Sequence, residues 1–223
     1  MPDLLHFFGN RSKRHSTGQG LVETAILFPI LLIVLSGLVE FGFLLNEYLA
    51  IQDASRNAAR FAADLDYRSS DTITDCDSTR DFYRQTTCLV NKELAQERPE
   101  ITLNVGNGDD DVIVSAFSIA ADTTNLTSTV AARFPNNQGW SMALDTPGYD
   151  HRNQSSQLTT SDVEQKLYGT APSTGFVTVE IFYDYHQKLN LPWITAFLSN
   201  PLLLHGYSLM PLVSAEPTPT AIP

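Results

Sequence analysis

The stretch that most constrains this chain is "GQGLVETAILFPILLIVLSGLVEFGFLL", Gly18 to Leu45: a run of membrane length that nevertheless keeps two acids, Glu23 and Glu40. As a helix, residues Ala25 to Leu45 rise roughly 31 Å at about 1.5 Å per residue, enough to cross the hydrocarbon core of a bilayer. Fifteen strongly apolar side chains lie between Thr24 and Leu45. Together they favour insertion by about 7 kcal/mol, against about 3 kcal/mol lost for one central acid, so the acids do not prevent spanning. A cleaved secretory signal fits poorly, because the apolar stretch is too long and no small-x-small site closes it.

Charge sets the orientation. Arg11, Lys13 and Arg14 precede the apolar run, whereas the chain as a whole carries a formal net charge of -11 over 223 residues. The positive-inside tendency then keeps the N-terminus in the cytoplasm and places everything after about Asn46 outside. So acidic a chain is not expected to bind nucleic acid, and its length suits one membrane-anchored domain.

A cut after Gly18 makes Gln19 the mature N-terminus and Glu23 the fifth residue, at the start of the apolar helix. A cut after Gly20 leaves Glu23 third. A basic leader, a glycine at the cut, an acid at the fifth position and a hydrophobic helix resemble the processing site of type IV prepilins and pseudopilins, which implies an aspartyl prepilin peptidase as partner. The acid has a physical reason to be there: a carboxylate at the membrane edge is costly alone, but a neighbouring subunit's new N-terminal ammonium neutralises it. The alternative is that Glu23 sits in the headgroup layer as a helix N-terminal acid favoured by the macrodipole.

The longer segment "GQGLVETAILFPILLIVLSGLVEFGFLLNEYLAIQDASRNAARFAA" resembles the N-terminal module of TadE-like proteins, minor pseudopilins of the tight-adherence (Tad) pilus system. The resemblance rests on Gly18-Gln19, Val22-Glu23, Pro29, the triplet Glu40-Phe41-Gly42 and the Ala/Arg-rich stretch Ala54 to Ala63. Thr24 departs from the pattern, since many pilin relatives carry an aromatic there. The resemblance implies other pilin subunits and the pilus assembly machinery as partners, homo- or hetero-oligomers, and a single-pass protein of the cell membrane incorporated in a surface pilus. The competing reading is an uncut single-pass protein whose exterior domain binds a partner or ligand.

Within the helix, Pro29 lacks a donor and clashes with the carbonyl four residues earlier, so a kink or loosened turn is expected. Glu40 either snorkels to the outer interface or makes an intramembrane polar contact with a neighbouring subunit's helix, where Gly37 and Gly42 permit close approach.

Beyond the span, Ile51, Ala54, Ala58, Phe61, Ala62 and Leu65 recur at helical steps, and a second helical pattern runs from Thr79 to Gln96 with Phe82, Thr86, Leu89, Val90 and Leu94 on one face. Cys76 and Cys88 are the only cysteines. Lying on the exterior side with no zinc-like spacing, they are expected to form a disulfide. Strand signals cover Ile101 to Val105, Val112 to Ala120, Phe176 to Tyr185 and Tyr207 to Val213, with a further strand at Ser128 to Phe134. The first two flank "GNGDDD", which reads as a hairpin turn at Asn107-Gly108. A calcium site at Asp109, Asp110 and Asp111 is disfavoured, because the acids are consecutive rather than alternate. A short helix is expected at Ser161 to Leu167. The sequons at Asn125 and Asn153 mark exposed loops.

The C-terminal segment from Gly175 to Val213 also resembles TadE-like domains, which end in a strand, a short Pro-containing helix and a final strand. Here Pro192 takes an early helix position, and Trp193, Ile194, Phe197 and Leu198 form a buried or membrane-facing side. The expected fold class is α+β. Its organisation is a leader at 1–18, a transmembrane helix at 19–45, an extracytoplasmic stalk and second helix at 46–97, an antiparallel sheet domain at 98–214 with a polar insertion at 122–174, and a Pro/Thr-rich tail at 215–223.

His6 and His15 fall in the leader. His151, His186 and His205 sit in no nucleophile-elbow, HExxH or HxE context, and no phosphate-cradling glycine loop occurs. No enzymatic activity, metal or cofactor is expected.

Overall fold

The computed structural model describes residues 17–106, 109–122, 127–149, 151–167 and 175–212. The leader up to residue 16, the Asn107-Gly108 turn, Asn125 of the first sequon and the tail at 215–223 lie outside these residues. The order is α1 (Thr17–Ala63), α2 (Phe82–Glu97), β1 (Asp111–Asp122), β2 (Thr127–Phe134), β3 (Trp140–Ser141), α3 (Met142–Asp145), α4 (Thr160–Lys166), β4 (Gly175–Tyr185), α5 (Pro192–Thr195) and β5 (Leu202–Leu212). The fold is α+β: a long N-terminal helix followed by an antiparallel sheet with short helices.

α1 changes character along its length. From Leu21 to Leu35 every residue is exposed, whereas Ile51, Ala54, Ala58 and Ala62 are buried. The buried small residues recur at three- and four-residue steps, so one stripe of the helix lies flat on the sheet. Phe61 falls outside that stripe and stays exposed. The approach to β5 is close: a Cβ on Gly206 would lie 2.7 Å from Ile51 Cγ2. α2 packs beside α1 through Phe82, Thr86, Val90 and Leu94. It starts at Phe82 rather than Thr79 because Asp81 caps it, its carboxylate accepting from Arg84 N.

The sheet order is β2-β1-β4-β5, with β3 pairing β1 beyond the end of β2. The two-residue period sorts side chains to opposite faces. Val112, Val114, Ala116, Val177, Val179 and Ile181 face the helices. On the other face, Phe117 and Ile119 pack with Val163 of α4. The described part of the polar insertion therefore forms a third layer. It is held by paired acids: Asp111 accepts from Ser141 Oγ at 2.7 Å and Ala143 N at 3.1 Å, and Glu180 accepts from Gln157 N at 2.9 Å and from Ser156 Oγ.

Two expectations need correction. Ile101 to Val105 forms no strand. Both edges of β1 are already taken, by β4 on one side and by β2 and β3 on the other, so no hairpin partner position is left. β5 begins at Leu202 rather than Tyr207, because pairing to β4 continues as far as Tyr185 opposite Leu202.

Candidate functional site

The chemistry of α1 divides at Ser36. The Gly18–Gln19 bond lies in the first helical turn, since α1 begins at Thr17. Glu23 is exposed, and no described side chain is placed to pair with it. Thr24 Oγ1 turns back to donate to Gly20 O at 2.8 Å. Pro29 lies inside the continuous helix. Gly42 is exposed, and no atom lies within 4 Å of a Cβ built on it. Among the described residues, neither Glu23 nor Gly42 lies against another part of the chain.

Glu40 is different. It is 2 % exposed, and its carboxylate accepts from Tyr185 Oη at 2.5 Å, Lys188 N at 2.8 Å and Leu189 N at 2.8 Å. The partners come from the end of β4 and the turn behind it, in the same chain. Glu40 therefore faces neither open interface nor a neighbouring helix here; it ties the anchor helix to the sheet domain. Burial, and after it the hydrogen bond to Glu40, pushes the Tyr185 phenol well above its ordinary range.

One residue pair in this clasp escaped the sequence reading. Lys188, whose backbone serves Glu40, sends its Nζ to within 2.7 Å of Glu47 Oε1, and Glu47 is 3 % exposed. The available signal was spacing: Glu40, Leu44, Glu47, Ile51, Ala54 and Ala58 follow one helical stripe, so the two acids extend the buried face toward the exposed apolar segment of α1. Beneath the clasp a small apolar cavity of about 80 Å³ lies between α1 and the α5 region, lined by Gly37, Phe41, Leu44, Ile194 and Leu198.

The TadE-like protein family model matches residues 18–60. This stretch is TadE-like. The match spans the bare helix, Glu23, the clasp acids Glu40 and Glu47, and the start of the packed stripe. It agrees with the resemblance read from the residues of that stretch. Comparisons with curated proteins and with solved structures give no match.

Behind this TadE-like module, Cys76 and Cys88 are disulfide-bonded, their Cα atoms 5.5 Å apart. The bridge pins the loop after α1 to α2. Arg84 closes the same region, bonding Asp145 through Nε at 2.6 Å and Nη2 at 2.7 Å while Nη1 donates to Asp71 O at 2.6 Å. Beside its hydrogen-bonded Asp145, the guanidinium is held above its ordinary range.

The remaining candidates have structural partners. Asp110 accepts from Asn104 N and Asp184 N, and Asp111 holds α3; burial pushes both carboxyls above the usual carboxylate range. Among the described residues no group of three or more His, Cys, Asp or Glu side chains is arranged to hold a metal ion. Asn153 spends its amide on Val105 O and Asp110 O, so this sequon side chain braces the loop. His205 stacks between Phe182 and Tyr207 with Nε2 3.1 Å from Glu180 Oε2. His151 and His186 line an open polar cleft of about 730 Å³ with Asp109, Asp110 and Asp184.

Proposed function

We propose that the chain is a minor pilin or pseudopilin of a Tad-type pilus. It is cut between Gly18 and Gln19 by a prepilin peptidase, held in the membrane by α1 with its sheet domain outside, and used in pilus assembly, adhesion or secretion at the cell surface. One observation carries this reading. The helix from Gly20 to Leu35 is bare, and Glu23 has no partner among the described residues of its own chain, while the carboxylate of Glu40 on the same helix takes three hydrogen bonds from within the chain. An acid left unpaired at the membrane edge is stabilised by a charge from another molecule, and the ammonium created by cutting after Gly18 is such a charge. The exterior disulfide is consistent with an oxidising compartment.

Mass spectrometry of the N-terminus in bacteria that contain the peptidase tests the reading. The expected species begins at Gln19. Gly18→Ala should block processing, and Glu23→Ala should leave cleavage intact while impairing assembly. Full-length chains beginning at Met1, or equal pilus formation by all variants, would favour an uncut single-pass protein with a partner-binding exterior domain.

A further inference from the structure

We propose that α5 and the turn behind it form a foot seated in the outer leaflet of the bilayer, so that the sheet domain rests on lipid as well as on its anchor. The inference rests on reading α1 as a membrane anchor. From Gly18 to Leu35, ahead of the domain, α1 has eighteen residues, about 27 Å of rise against a hydrocarbon core of about 30 Å. The domain first touches α1 at Ser36, where Trp193 Nε1 donates to Ser36 Oγ at 3.0 Å. The bare segment is thus slightly too short to hold the domain clear of the membrane. With the inner edge of the core at Gly18, the outer hydrocarbon boundary falls near Gly37, level with α5. Helix tilt of about 20° shortens the vertical reach and lowers the foot further. Setting the inner edge at Glu23 instead raises the boundary about 8 Å and immerses the foot more deeply.

The composition of the foot agrees. From Leu189 to Leu204 no residue is charged, in a chain where charged residues make up 17%. An immersed segment requires this. Phe197 is 88 % exposed, and Leu198 and Trp193 are also open; Leu198 lines the same small apolar cavity as Phe41 of α1. Tryptophan with its N–H satisfied and its ring open suits the interfacial layer. Glu40 then lies just outside the hydrocarbon with the inner edge at Gly18 and just inside it with the inner edge at Glu23, its carboxylate taken up by the clasp in either case.

The test uses the full chain reconstituted in phosphatidylcholine vesicles. The chain has two tryptophans, so Trp140→Phe leaves Trp193 as the sole reporter. Lipids brominated near the carbonyl end of the acyl chain should quench Trp193 at least about twofold more than lipids brominated near the methyl end, and aqueous acrylamide should quench it weakly. Phe197→Glu, at a side chain that packs against almost nothing, should at least about halve the lipid quenching while near-ultraviolet circular dichroism stays unchanged. Strong acrylamide quenching with none from lipid would overturn the proposal. So would lipid quenching that disappears as the protein-to-lipid ratio rises, which would assign the surface to a second copy. Retention on vesicles after alkaline wash separates the two readings: a chain that washes off refutes the anchor and the foot together, whereas one that stays but shows no lipid quenching refutes the foot alone.

Discussion

The clasp at Glu40 predicts a specific non-additivity. Its carboxylate takes three hydrogen bonds, at 2.5, 2.8 and 2.8 Å. Hydrogen bonds to a charged group contribute about 1.5–3 kcal/mol each, and a stranded buried donor costs about 1–3 kcal/mol. Tyr185→Phe removes one bond and strands nothing, so it should cost about 2 kcal/mol. Glu40→Ala strands the Tyr185 hydroxyl and the Lys188 and Leu189 N–H groups. Because Lys188 lies partly in contact with water, the expected loss is about 3–5 kcal/mol rather than the full sum. In the Glu40→Ala background the hydroxyl has lost its carboxylate acceptor and keeps only the long contact to the backbone carbonyl of residue 40, at 3.5 Å, so Tyr185→Phe should then cost almost nothing or restore stability. The coupling energy should be about 1.5–3 kcal/mol. It is measured by urea unfolding of the four proteins in phospholipid nanodiscs, with amide exchange at Lys188 and Leu189 as a second readout. Additivity within about 0.5 kcal/mol, or unchanged exchange at both amides, would refute an intrachain clasp.

Three further outcomes follow from the packing. Replacing Cys76 and Cys88 by Ser opens a loop of about 13 residues and should cost about 3 kcal/mol in urea unfolding, with reductant reproducing the loss. Gly206→Ala places a methyl 2.7 Å from Ile51 Cγ2, so α1 must shift from β5 at a cost of about 1–3 kcal/mol; Ile51→Ala removes that Cγ2, so the double variant should cost less than the two single substitutions together. Asp111 gives a pH signature. Burial raises its folded pKa above the unfolded value, so its contribution is complete below about pH 3.9 and declines as pH rises through the folded pKa. The stability difference between wild type and Asp111→Asn should therefore move in favour of wild type on acidification through that window. A difference independent of pH would refute the burial argument.

The elements with strong local signals were legible in the residues. A single apolar run marks α1, alternation marks β1 and β4, and the Thr159–Asp162 capping box starts α4 within a residue of expectation. Ile101 to Val105 shows the limit: it has strand composition, and Ile101 is buried, yet it does not pair because the neighbouring strand has no free edge. The insertion shows another. Its polar residues read as surface loop, but several serve as donors to the buried acids Asp111 and Glu180, a role invisible until the sheet face is assembled.

By itself the sequence determined that this chain carries an apolar helix long enough to cross a membrane, with the acid Glu23 near its start, an α+β fold and a disulfide between Cys76 and Cys88. These follow from hydropathy, period and cap chemistry, which act between residues close along the chain. The tertiary structure alone decided the fate of Glu40, whose donors lie 145 to 149 residues away. A buried carboxylate is tolerable only where donors converge on it, and convergence across such a separation is a property of the packed fold, not of any local pattern.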